Sequence, residues 1–179
     1  TLIPYDNGDE DYSNDAPIEL EANIITVEAG GHISSDGKGY AYGPGISSYG
    51  AVHGGYVLYN DELPYGNALA PTSLGSGNAD LYGHGTRYSG GGAIHLIAND
   101  GLNLFGLISA NADEFDYYDY KGGASGGSIW IEANMLTGDG VLQANGDKSG
   151  DDAGSGGRIA IDAENNSFTG DVQALGVFR

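Results

Sequence analysis

The sequence predicts an all-β protein: a parallel β-solenoid (β-helix) of about four coils, carrying a long glycine- and tyrosine-rich insertion. Three observations predict it. An eight-residue pattern recurs at Gly91-Gly92-Ala93-Ile94-His95-Leu96-Ile97-Ala98, at Gly126-Gly127-Ser128-Ile129-Trp130-Ile131-Glu132-Ala133 and at Gly156-Gly157-Arg158-Ile159-Ala160-Ile161-Asp162-Ala163. Each copy is a glycine pair followed by apolar residues at alternate positions, the pattern of a strand with one buried face. A second set follows in step: Ile108-Ser109-Ala110-Asn111, Leu142-Gln143-Ala144-Asn145 and Val172-Gln173-Ala174. Two motifs advancing together at 30 to 35 residues mark a stacked repeat, in which no unit can bury its apolar face alone. Finally, no dozen-residue window combines a three-to-four apolar period with freedom from glycine, so no long helix is expected.

Residues 1–15 form an acidic N-terminal arm with Asp6, Asp9, Glu10, Asp11 and Asp15 and almost no apolar periodicity. Residues 16–179 form one β-solenoid domain. Its first coil, residues 16–37, holds a fainter copy of both motifs, Ile18-Glu19-Leu20-Glu21-Ala22 and Ile33-Ser34-Ser35-Asp36, without the leading glycine pair. No coil precedes it, so its edge needs covering or pairing. Residues 38–90 are the insertion. A structureless loop of this length is uncommon, so order is expected, with small residues letting the backbone lie close to the coils. Residues 91–179 supply three regular coils. Ile94, Ile129 and Ile159 are expected to stack in one ladder and Leu96, Ile131 and Ile161 in the next, with Ala98, Ala133 and Ala163 where the coil turns.

Composition narrows the function. The chain has 179 residues, enough for one domain with a core. Its 25 acidic and 6 basic side chains give a net charge of −19, which excludes nucleic acid and anionic membrane surfaces as partners. No apolar run reaches the roughly 18 residues of a membrane span. With no cysteine, disulfides and thiolate metal sites are excluded. The chain starts at Thr1 without a signal peptide, as expected of a processed protein or a piece of a longer one.

The succession of Gly45-Ile46-Ser47-Ser48-Tyr49-Gly50-Ala51-Val52-His53-Gly54-Gly55, Pro71-Thr72-Ser73-Leu74-Gly75-Ser76-Gly77, Gly90-Gly91-Gly92 and the later glycine pairs resembles the glycine-rich parallel β-helix repeat regions of large secreted and surface proteins of bacteria and protists, the adhesin-like modules of surface fibres. The resemblance spans about residues 40–175 and implies an extracellular, structural or adhesive role. The loops here carry more Asp and Tyr than that pattern.

The acidic loops are candidate calcium sites, because a hard cation takes six to eight oxygens from carboxylates, carbonyls and water. The candidates are Asp6, Asp9 and Asp11 in the arm and Asp147, Asp151 and Asp152 in a later loop; neither group has EF-hand or nonapeptide-repeat spacing, and a solvated acidic face is the plainer reading. No other cofactor is expected. Candidate subunit or glycan contacts are Leu2, Ile3, Tyr117, Tyr118, Tyr120, Trp130 and Phe178, since Tyr and Trp combine an apolar face with a polar tip. Asn165 opens an Asn-Asn-Ser glycosylation acceptor. His32, His53, His84 and His95 are dispersed, and a lone His in a glycine-rich loop more often holds a backbone group than a metal. No catalytic residue is assigned.

The function expected is that of an extracellular, cell-surface structural protein: a subunit of a fibre, sheath or surface layer, with itself as partner, assembled by head-to-tail solenoid stacking and strand addition. The alternative is a polysaccharide-binding or adhesion module of a larger surface protein. A carbohydrate-active enzyme is less favoured, because paired carboxylates or a carboxylate–Arg cluster in one cleft are not evident from spacing.

Overall fold

A computed structural model describes residues 16–46, 49–57, 61–77, 88–113, 122–147 and 153–176. Eight strands and no helix are found among them: β1 (Ile18–Val27), β2 (His32–Ser34), β3 (Ala93–Leu104), β4 (Leu107–Ser109), β5 (Ser128–Thr137), β6 (Val141–Gln143), β7 (Arg158–Asn166) and β8 (Asp171–Gln173). The long strands pair in parallel in the order β1-β3-β5-β7, and the short ones in the order β2-β4-β6-β8.

The repeated motifs fix the register. Ile18, Ile94, Ile129 and Ile159 align across the first sheet, as do Leu20, Leu96, Ile131 and Ile161. Ile33, Ile108, Leu142 and Val172 align across the second. A one-residue slip would turn every one of these side chains to the other face, so the repeated sequence holds the register wherever that face is buried. The core cluster joins both sheets: Ile94, Leu96, Leu102, Leu104, Ile129, Ile131 and Leu136 from the long strands, with Ile108 and Leu142 from the short ones. Burial is complete in the two middle repeats and partial in the outer ones, where Leu20, Ile33, Ile159 and Ile161 are only partly covered.

The expected solenoid of about four coils is corrected by this arrangement. The regular structure is two separate four-stranded parallel sheets. In the third stretch of each repeat, no described residue between Ser109 and Ser128, or between Gln143 and Arg158, belongs to a strand. Among the described residues no third sheet closes a coil. The physical reason is glycine, which has no side chain to pack on a pleated surface and the largest entropy to lose in a strand. The described parts of these stretches run instead as irregular backbone bonded to other backbone. Gly39 N donates to Gly90 O, Gly75 N to Gly91 O, and Gly91 N to Ser125 O. Ala51 N donates to Gly123 O, Ser155 N to Ala51 O, and Gly54 N to Gly156 O. The described residues of 39–77 are thereby laced among the glycine runs of the second, third and fourth repeats.

The alanines also sit differently from expectation. Ala22, Ala98, Ala133 and Ala163 do align. They lie within the strands, however, beside register shifts at Ala22/Ile24 and Ala98/Leu102. The chain bends there through an irregularity and continues as strand, and the small side chain suits a bulge on the crowded face. The true turn comes later: Gly138 follows β5 with φ of 109°, in the region open to glycine.

An Asx ladder stands beside the second sheet. Asn111 N donates to Asp36 Oδ1 at 2.6 Å, Asn145 N to Asn111 Oδ1 at 2.9 Å, and Leu175 N to Asn145 Oδ1 at 2.9 Å. Each side chain satisfies the backbone donor of the next repeat, and the series stops where leucine replaces asparagine at 175.

Candidate functional site

Three features stand out, and each follows from the register. The first is a pair of open sheet edges. Among the described residues no strand pairs with the outer side of β1 and β2, or with that of β7 and β8. Parallel strands carry unpaired N–H and C=O groups along such an edge. At the β7/β8 end the edge is also apolar: Val172 is 50% exposed and Leu175 56%.

The second is the outward face of the long sheet. Glu19, His95, Trp130 and Ala160 align in one cross-strand row, and Glu21, Ile97, Glu132 and Asp162 in the next. The imidazole of His95 lies flat on the indole of Trp130, with ring centroids 3.9 Å apart and planes within 6°. Nδ1 of His95 is 3.1 Å from Glu19 Oε2, and Nε2 is 2.8 Å from Glu132 Oε1. A neutral imidazole has one N–H, so both contacts are donor–acceptor bonds only when the ring carries two. His95 thus stands between a carboxylate of the first repeat and one of the third. One face of Trp130 is covered by it. Ala160 of β7 is the register partner of Trp130 on the other side.

The third feature is the buried His53. Its Nδ1 lies 2.8 Å from Gly126 O and donates to it, its backbone N–H donates to Ser155 Oγ at 2.8 Å, and Arg158 Nη2 reaches its carbonyl at 3.3 Å. Tyr65 packs on the ring at 4.7 Å, and Arg158 Nε donates to the Tyr65 carbonyl at 2.9 Å. Nε2 of His53 has no hydrogen-bond partner among the described residues. Burial pushes the pKa of His53 down to about 4; the bond to Gly126 opposes that shift and the nearby Arg158 charge adds to it. Ser155 Oγ donates to Gly156 O, so it is not poised as a nucleophile on the imidazole. His53 is a bolt between residues 51–54 and the last two repeats.

No protein-family model, curated protein or solved structure matches this chain. Chemistry must therefore be read from the residues alone.

The sequence candidates separate sharply. Asp6, Asp9, Asp11, Asp151, Asp152, Leu2, Ile3, Tyr117, Tyr118, Tyr120 and Phe178 lie outside the described residues. Asp147 is buried, its N–H donating to Ala124 O and its carbonyl accepting from Gly154 N. Among the described residues no group of three His, Asp or Glu side chains is placed to hold a metal. Asn165 is exposed on β7, with Nδ2 near Asn134 O at 3.4 Å. Trp130 is on the outward face, as alternation requires. Sequence reasoning missed its coupling to His95, Glu19 and Glu132. The signal was there: Glu19, His95 and Trp130 occupy the same position of three successive repeats.

Proposed function

We propose that this chain is an extracellular structural protein whose copies join head to tail by strand addition, the β7/β8 edge of one copy taking the β1/β2 edge of the next. One observation carries the reading. Continuing the internal register by one step sets Ile18 of a second copy on Ile159, Leu20 on Ile161, Ala22 on Ala163 and Ile33 on Val172. Apolar meets apolar at each of these inward positions, just as it does between repeats within the chain. The same step sets His32 against Asp171, which attract when the imidazole is charged, and Glu21 against Asp162, which repel. The contact is heterologous and does not close on itself, so it grows a filament rather than a dimer. The glycine-rich repeat character and the acidic surface support a place outside the cell.

The test is electron microscopy and sedimentation of the protein over a range of concentration and ionic strength. Filaments are expected, favoured by salt that screens the Glu21–Asp162 pair and by Asp162→Asn. Ile161→Asp, with its melting curve as a control for folding, is expected to leave single particles. A parent protein that stays monomeric under all these conditions rules the reading out.

A further inference from the structure

We infer that the joining of copies is controlled by proton uptake at His32, whose charged ring latches onto Asp171 of the preceding copy, so that filaments tighten in mildly acidic solution and loosen in alkaline solution. The inference rests on the head-to-tail reading and assigns its regulation. In the short sheet His32, Leu107, Val141 and Asp171 align in one row. The two inner positions are apolar and partly buried, whereas the two end positions are ionisable and exposed. Opposite charges therefore stand at the two ends of the row, with uncharged side chains between them. Ile33 packs on the core, so alternation puts His32 on the outward face. One further step of the register sets His32 of a second copy directly across from Asp171, about 5 Å away as cross-strand neighbours are. The turn before each short strand keeps that step uniform. A methyl added at Gly106 would overlap Gly31 O, one at Gly140 would overlap Gly106 O, and one at Gly170 would overlap Gly140 O. Gly31 offers the same bare Cα to the Gly170 carbonyl of a preceding copy.

The charged groups about the joint decide the sign. Glu28 lies in the turn that leads into β2, and β4, on which β2 packs, brings no charge. Asp36 and Lys38 lie beyond β2, and the Asp36 carboxylate is engaged by Asn111 N and Ser109 Oγ. From the preceding copy come Asp171 itself and, one repeat further, Asp139 in the turn before β6. On the long sheet the same step sets Glu21 against Asp162, with Glu132 behind it, and Glu19 against Ala160. With a neutral imidazole the joint thus brings carboxylates together and adds no attraction in exchange. An imidazolium supplies an opposite charge directly across from Asp171 and sits among the other carboxylates. Histidine ordinarily changes charge between about pH 8 and 5, whereas carboxylates do so at lower pH. Among the described histidines only His32 is on an edge strand; His53 is buried and His95 is on β3. The charged ring gains Asp171 only in the joined state, so joining takes up protons. Its contribution is present on the acid side and is lost as pH rises through the histidine range.

Sedimentation at constant ionic strength reads the critical concentration for filament growth between about pH 8 and about pH 6, the span in which imidazole gains its charge. In the parent that concentration is expected to fall about two- to fivefold over the span, the strength of one cross-strand charge pair. His32→Asn holds it flat at the weak level, and His32→Lys, charged throughout, holds it flat at the tight level. Asp171→Asn also removes the fall. All three positions concern exposed side chains, and melting curves of the variants check that folding is unchanged. A parent profile that is flat, or a fall that survives His32→Asn, overturns the latch and leaves head-to-tail growth standing. A parent that forms no filaments at any pH or ionic strength removes both.

Discussion

In the middle of the sheets, Ile94, Leu96, Ile129 and Ile131 are fully buried and packed side chain on side chain. In the runs 90–92, 122–127 and 154–157 backbone meets backbone, and a methyl added at Gly91, Gly127, Gly154 or Gly157 would overlap a carbonyl oxygen of a neighbouring segment. The first region gains stability from apolar area removed from water. The second buries little apolar side chain; it satisfies peptide groups inside the protein, where an unpaired one is costly. The difference teaches how each region tolerates change. A side-chain core yields by degrees as atoms are removed, whereas close-packed backbone has no room to gain any.

The sharpest way to break that comparison is to add one carbon. At Gly54 a methyl would overlap the Gly157 carbonyl oxygen, while at its neighbour Gly55 the nearest contact is Ser155 Cβ at 4.0 Å. Gly54→Ala is expected to cost more than about 4 kcal/mol in urea melts or to prevent folding, and Gly55→Ala to stay within about 1 kcal/mol of the parent. Equal effects at the two sites would refute backbone packing as the constraint. The side-chain counterpart is Ile131→Ala, which opens a cavity in the core and is expected to cost about 2–5 kcal/mol. Ile161→Ala, in the same ladder but only partly buried, should cost about half as much. If filaments form, that gap should narrow above the assembly concentration, because a second copy would cover Ile161.

What could be read beforehand divides along the same line. The strands, their parallel order and the alignment of Ile94, Ile129 and Ile159 follow from a period of two inside a period of about thirty. A side chain that must face the core announces itself by spacing. The glycine runs do not, because a residue without a side chain leaves no pattern to say which backbone it meets. That Gly54 lies against Gly157, and Gly75 against Gly126, could not be inferred from either stretch alone. For the same reason a solenoid of about four coils was expected where there are two four-stranded sheets joined by irregular chain. The outward face was half legible: alternation places Trp130 there, but the stack on His95 depends on pairing β3 with β5 in register.

His53 sharpens the comparison from the chemical side, since it is an ionisable group placed where backbone packing leaves little room for water. Its folded pKa of about 4 lies below the ordinary value of 6.5, so the folded protein prefers the neutral ring. Its favourable contribution is therefore complete above pH 6.5. It is lost as pH falls from there towards 4, because the unfolded chain takes up the proton first. The full loss is about 3 kcal/mol. Urea melts from pH 7 to 4 should show the parent losing stability faster than His53→Leu over that window. Parallel profiles would mean that the ring is hydrated after all.

The smallest expected effect concerns the Asx ladder, where side chains accept from the backbone of the next repeat. Asn111 and Asn145 each accept the backbone N–H of the following repeat. The two acceptors differ in what depends on them. Asn111 serves Asn145 between the two middle repeats, where both residues are partly buried, whereas Asn145 serves Leu175, which is exposed and can turn to water. A donor that loses its partner inside the protein pays for desolvation, and one at the surface does not. Asn111→Ala is therefore expected to cost about 1 to 2 kcal/mol and Asn145→Ala about 0.5 kcal/mol or less. Amide hydrogen exchange gives the finer reading: the Asn145 amide should lose protection in the first variant and the Leu175 amide in the second. If Leu175 lost as much stability with its acceptor as Asn145 does, that end would have to be as dry as the interior, and a second copy seated on the β8 edge would be the direct cause to look for.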